Sequence, residues 1–287
     1  MPKRIFVYPY VVWTFIFIAV PLLLVLYFSF TDIGPDGRTI FTLSHYARFF
    51  EPSFEGQPFF QRIFVRVLLR SIRLAIISTV ICFILGYPLA YVLAKYSHKS
   101  FLLFLFLVPM WMNFLLRTYA WLTILEQNGV LNAILSFVGL PTIDILFTDT
   151  AVVLGMVYNF LPFMVLPIYT VLRDMDPSLT EAAQDLGANG FGVFRRVIFP
   201  LSMPGVISGV TMVFMPGVTT FIISNLLGGA QFVLIGNLIE QQFLRIGDWR
   251  FGSAISSILI VLILLMMAVF KLLDRNHEQQ QQKGALY

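Results

Sequence analysis

Six unbroken apolar runs, each close to twenty residues long, leave this chain few ways to fold. They cover residues 7–30, 74–94, 101–121, 150–172, 205–226 and 253–270 of a 287-residue sequence, and about 20 apolar residues are what a helix needs to cross a hydrocarbon core. In lipid, backbone amides must be satisfied within a helix or within a closed barrel. Barrel strands alternate polar and apolar residues over about ten positions. These runs do not alternate, so the chain is read as an all-α integral membrane protein with six transmembrane helices in one membrane domain, residues 1–287. Its composition agrees, with 58% hydrophobic and 12% charged residues and 30 Phe, far from soluble averages.

The first run follows Lys3 and Arg4 but is too long for a secretory signal and lacks a small-x-small cleavage site, so it reads as a retained anchor. Cys82 is the one cysteine, and His45, His98 and His277 are far apart. Neither a disulfide nor metal-ligand spacing is expected. The net charge of +4 sits mostly at span borders, where topology and lipid headgroups account for it better than nucleic acid does. The loop Lys95-Tyr-Ser-His-Lys99 and the tail after Lys271 favour the cytoplasm, whereas residues 122–149 contain no Lys or Arg and read as external. Six spans then put both termini in the cytoplasm of a multi-pass protein of the cell membrane.

Two charge patterns bear on function. Arg62, Arg66, Arg70 and Arg73 fall within an arc of about 80° on a helix entering the second span. They read as an interfacial stripe reaching outer-leaflet phosphates, with a docking surface for an external protein as the alternative. All 15 Asp and Glu lie outside the spans, whereas ion-coupled carriers place ionisable groups in the membrane interior. Arg117, near the outer end of the third span, is the exception among cations, and Glu126 is its expected partner. A phosphate-binding Gly-x-x-x-x-Gly-Lys-Ser/Thr loop is missing as well, and no nucleophile–base constellation suggests an enzyme. Energy for transport would have to come from another subunit.

The polar stretch between the fourth and fifth runs suits such a subunit. Asp176 before Pro177 is a helix start, and Gly187 followed by Asn189-Gly190 is a stop. A helix of about ten residues, roughly 15 Å long, is expected between them. Ala182 and Ala183 keep its surface narrow, and Glu181 and Asp185 mark a polar edge one turn apart. A second short helix, residues 191–198, should lead through Pro200 and Pro204 into the fifth span.

This segment resembles the Glu-Ala-Ala loop of ABC-importer permeases. Glu181, Ala182, Ala183, Gly187 and Pro200 stand in register, with Val197 for Ile and Phe199 for Leu. Further stretches resemble the spermidine/putrescine permeases within that family: Leu85-Gly-Tyr-Pro-Leu-Ala90, Val108-Pro-Met-Trp-Met-Asn113 with Arg117 and Tyr119, Leu161-Pro-Phe-Met-Val-Leu-Pro167, Leu186-Gly-Ala188, and Leu234-Ile-Gly-Asn237 with Gln242-Phe-Leu244 and Asp248-Trp249. The resemblance implies the type I ABC-importer permease fold and a cytoplasmic coupling helix in the loop of residues 173–204. Glu181, Ala182, Ala183, Asp185, Gly187 and Pro200 would engage a cytosolic ATPase. It also implies a second related permease, two ATPase copies that bind ATP and Mg, and an extracytoplasmic polyamine-binding protein, with no cofactor in this chain.

A flexible polycation is held by carboxylates and by aromatic faces. The spans offer Trp111, Asn113, Tyr119, Tyr158 and Asn159 as candidate pathway residues, with interface anchoring and interhelical hydrogen bonding as their ordinary alternatives. Glu240, Asp248 and Trp249 are placed at an external entrance or at the docking site of the binding protein. Two rival readings remain: the same permease carrying another substrate such as an oxyanion, for which the arginine stripe speaks, and a standalone secondary carrier.

Overall fold

The structure, a computed structural model, describes residues 7–52, 58, 59, 62–95, 100–229, 231 and 233–284. The basic loop expected on the cytoplasmic side falls, beyond Lys95, outside these residues. The chain is almost wholly helical: α1 (Val7–Thr14), α2 (Val20–Ser29), α3 (Ser44–Phe49), α4 (Ile63–Lys95), α5 (Ser100–Leu107), α6 (Phe114–Leu125), α7 (Val130–Phe137), α8 (Asp149–Arg173), α9 (Pro177–Asp185), α10 (Gly190–Val193), α11 (Phe199–Thr219), α12 (Ile222–Leu227), α13 (Ile235–Glu240) and α14 (Trp249–Gly284). The exception is an antiparallel pair, β1 (Thr31–Ile33) and β2 (Thr39–Phe41), in register Thr31↔Phe41. Its signal in the sequence is Pro35-Asp36-Gly37 between β-branched residues, with Gly37 at φ 69°.

Among the described residues five helices are long and apolar enough to span a membrane: Tyr8–Ser29, Ile63–Lys95, Asp149–Arg173, Gly190–Thr219 and Trp249–Leu272. A sixth span requires the pair Leu103–Trp111 and Phe114–Phe137, which is bent by 94°. The apolar run 101–121 is therefore not one straight helix. Pro109 opens a tight 3-10 turn, Met112 is extended, and Asn113 restarts the helix by accepting from the Leu115 amide at 2.8 Å. Asn113 is a favoured cap residue, but beside Pro109 in an apolar run it reads equally as part of a kinked span.

Contacts divide the chain into two units, residues 1–69 with 235–265 and residues 70–234 with 266–287. In the first, Phe64 lies between Phe49 and Phe251, with ring centroids 5.8 and 5.1 Å away. In the second, α8 packs along α11, and Gly205 and Gly209 make that crossing close. A Cβ on Gly205 would stand 2.9 Å from the Pro167 carbonyl oxygen, and one on Gly209 would stand 3.0 Å from that of Met164. Small residues four apart let two membrane helices approach backbone to backbone.

Candidate functional site

The polar insert folds as its residues dictate. Asp176 caps α9 by accepting from the Ser178 amide at 2.9 Å, and Pro177 takes the first helical position, where no amide donor is needed. That hydrogen bond also holds the Asp176 carboxyl below the usual carboxylate range. At the other end Gly187 adopts φ +82°, its amide donates to the Gln184 carbonyl and the Ala188 amide reaches back to Ala183 at 3.0 Å. This is a Schellman stop, and it needs a left-handed residue at that position. Asn189 immediately caps α10 through the Gly192 amide. The chain then runs through one π-helical turn, Phe194–Ile198, into α11 without a break, so the expected short helix and fifth span form one rod, Gly190–Thr219.

On α9, Glu181, Ala182 and Asp185 are exposed and Ala183 is half-buried. Pro200 lies in the first turn of α11, half-buried. Three apolar side chains complete the exposed surface: Leu179 at 45%, Leu186 at 90% and Phe191 at 71% exposure. The sequence reading passed over them as contact residues. Their signal was apolar residues inside an otherwise polar helix–turn–helix, where no fold-internal role needs them. A surface with two carboxylates flanked by bare Leu and Phe is suited to a protein partner. Behind it, a cleft of about 580 Å3 separates α9 from the ends of α4 and α8, lined by Tyr91, Lys95, Asp176, Thr180 and Gln184 among others.

The candidate pathway residues do not converge on one point. Trp111 is 76% exposed and stacks edge-on against Phe104, Tyr119 is exposed, and Asn113 is used as the α6 cap. Tyr158 meets Trp121 edge-on at 5.3 Å. Asn159 is buried on α8 and donates to the Gly155 carbonyl at 2.9 Å, while its Oδ1 has no partner among the described residues. Both asparagines thus bond within their own chain segment rather than across helices. Arg117 is buried, and it makes no pair with Glu126 among the described residues. Nine residues of helix separate the two by about 13 Å of rise and put them on opposite faces.

The arginine stripe is largely engaged internally. Arg70 and Arg73 both grip Asp149 at the start of α8, each with a contact of 2.6 Å. Arg62 donates to the Phe50 carbonyl and lies over the Phe59 ring. The candidates for an entrance or docking site occupy residues 240–249. Asp248 accepts from Arg48 at 2.8 Å and from the Phe251 amide at 3.1 Å, and Arg48 stacks on Phe251 at 4.2 Å. Burial opposes ionisation of Asp248, but the amide and Arg48 outweigh it and hold its carboxyl below the ordinary range. Glu240 lies 3.9 Å from Arg245, and Trp249 is 58% exposed against the edge of Phe243.

Residues 83–279 match the family model described as binding-protein-dependent transport system inner membrane component. The chain is 42% identical over 264 residues to the spermidine/putrescine transport system permease protein PotB of Escherichia coli, covering 90% of this chain and 92% of that one. It is 40% identical to the PotB of Haemophilus influenzae, with 93% of each chain covered. Among solved structures, a bacterial ABC transporter involved in import of the acidic polysaccharide alginate contains a chain that superposes with a TM-score of 0.78 at 17% identity, covering 96% of this chain and 95% of that one. The fold is accordingly that of an ABC-importer permease. The chain belongs to the family of inner-membrane components of binding-protein-dependent transport systems, as a multi-pass membrane protein.

Proposed function

We propose that this chain is the permease subunit of an ATP-driven importer of polyamines, spermidine or putrescine. Likeness to the spermidine/putrescine permeases across nine-tenths of both chains carries the reading. The geometry supports it in two further ways. Asp149 accepts from both Arg70 and Arg73, which occupies donors of both and offsets one of the two charges an oxyanion would use. Asn159 Oδ1 is a buried acceptor without a partner among the described residues, a group that an ammonium donor would satisfy once the helices part.

The capped helix α9, with Glu181, Ala182, Ala183, Asp185 and Gly187, together with Pro200 in the first turn of α11, is the cytoplasmic coupling site for an ABC ATPase. Two ATPase copies, which bind ATP and Mg, a second related permease and an external polyamine-binding protein complete the machine, and both termini face the cytoplasm. Trp111, Asn113, Tyr119, Tyr158 and Asn159 line a low-affinity passage, since weak sites release their cargo quickly. Glu240, Asp248 and Trp249 face the binding protein.

The test is uptake by the complete complex in proteoliposomes, with labelled spermidine set against sulfate and phosphate. Spermidine uptake that requires internal-face ATP is expected, and Glu181→Lys should abolish both uptake and ATPase retention while the permease still inserts. Accumulation of an oxyanion in place of spermidine would overturn the substrate assignment. Wild-type uptake by Glu181→Lys would remove α9 from the coupling role.

A further inference from the structure

The segment Leu85-Gly-Tyr-Pro-Leu-Ala90 lies in α4, away from the coupling helix in sequence, and nothing in the proposed transport cycle yet uses it. Tyr87 within it is 6% exposed, and its hydroxyl lies 2.7 Å from Ser202 Oγ on α11. Ser202 is fully buried and donates its own hydrogen to the Phe199 carbonyl at 2.9 Å. Its proton is therefore taken, and Tyr87 is the donor in a relay from Tyr87 to Ser202 to the α11 backbone.

The ring of Tyr87 is held as firmly as its hydroxyl. Phe83, Phe194 and Phe199 each place a ring centroid 5.7 Å away, and Phe194 also meets Tyr91 at 6.3 Å. Phe194 opens the π-helical turn that joins α10 to α11, and Phe199 closes it, its amide donating to the Phe194 carbonyl. Single π turns are local under-windings, with i→i+5 bonds, that occur frequently at functional positions. On the α4 side, Pro88 cannot donate to the carbonyl of residue 84, so the helix lacks a rung beside the tyrosine. Gly86, one residue before the tyrosine, lets α4 seat on Met164 of α8, whose Cγ would be 3.0 Å from a Cβ there.

Because α9 faces the end of α4 across the cleft of about 580 Å3, a push on α9 reaches α4 best through α10 and the π turn. Tyr87 of α4 meets that turn with its ring, at Phe194, and the α11 helix that follows it with a hydrogen bond, at Ser202. We infer that Tyr87, bonded to Ser202 and clasped by Phe194 and Phe199, is the positioning residue that transmits movement of the coupling segment to α4. The tyrosine binds neither nucleotide nor substrate. It keeps the α10–α11 junction and the proline-weakened part of α4 moving as one body, so that closure at α9 shifts a spanning helix.

This inference rests on the coupling role proposed for α9, and the test separates the two. The complete complex is reconstituted, and substrate imported per ATP hydrolysed is measured together with the stimulation of ATPase by loaded binding protein. Tyr87→Phe keeps the ring and loses the donor. Import per ATP should fall about three- to tenfold, the scale set by one net hydrogen bond, with ATPase retention unchanged. Ser202→Ala should do the same. The double variant should be no worse than Ser202→Ala alone, because that substitution already removes the bond to Tyr87. Unchanged import per ATP in both single variants, or additive losses in the double, would overturn the inference. If Tyr87→Phe does not assemble, Ser202→Ala, which leaves the aromatic cluster whole, decides alone. Loss of ATPase retention on Glu181→Lys with normal coupling in Tyr87→Phe would uphold the coupling helix and reject the relay.

Discussion

Asp149 is the residue on which a cluster of positive charge depends. Its two oxygens are divided between Arg70 and Arg73, and all three side chains keep partial access to solvent, with 34%, 61% and 32% exposure for Arg70, Arg73 and Asp149. Screening at such exposure limits a pair to about 1 kcal/mol or less. Removing the acid alone costs more than the pair is worth, because two guanidinium groups would then face each other uncompensated. Asp149→Asn should therefore lower the midpoint of thermal unfolding in detergent by a few degrees, and Arg73→Gln on that background should restore part of the loss. A midpoint that stays put in Asp149→Asn would show the cluster to be incidental. The four arginines were visible in the sequence as a stripe, but the acceptor that Arg70 and Arg73 share was not, since Asp149 lies more than seventy positions away and only the packing of α4 on the start of α8 brings it near.

At the scale of elements, α9 shows what a local code can specify. Its start, its proline and its stop all follow from neighbouring residues, and the structure places each within its expected role. Gly187 tests that code cleanly. A Cβ there would touch nothing within 4 Å, so a substitution acts through φ +82° alone. Gly187→Asn should be tolerated, since asparagine enters the left-handed region readily, whereas Gly187→Val should cost about 1–2 kcal/mol or more. Hydrogen exchange at residues 186–188 should speed up in the valine variant and not in the asparagine one, with ATPase retention following the same order. Equal exchange in both would mean that the stop does not depend on backbone handedness. The broken third run shows where a local code fails. Pro109 and Asn113 are both legible, yet proline is common in membrane helices, and only the observed bond from Leu115 to Asn113 reveals a cap rather than a kink.

For the whole molecule, the class and five spanning helices were legible because lipid enforces a length and a polarity that any twenty-residue window reveals. The short helix α9 was legible because caps and glycine stops are chain-local. Neither the pathway nor the partners of charged groups had that advantage. Asn113 turns to its own helix, Arg117 and Glu126 face apart, and Trp111 and Tyr119 stand exposed, all of which depend on how helices rotate against one another. The charge map nevertheless constrains energetics. In the candidate spans and the bent pair, the carboxylates are Asp149 at the first residue of α8 and Glu126 at the end of α6, and Asp149 is already held by two arginines. A proton- or sodium-driven cycle needs an ionisable group that changes state inside the membrane, and no such group is at hand among the described residues. Uptake by the reconstituted complex should therefore follow ATP and survive collapse of the proton and sodium gradients, while this chain alone in liposomes should accumulate nothing. Gradient-driven uptake by the isolated chain would make it a carrier in its own right, and persistence of that uptake in Asp149→Asn and Glu126→Gln would locate the coupling ion elsewhere.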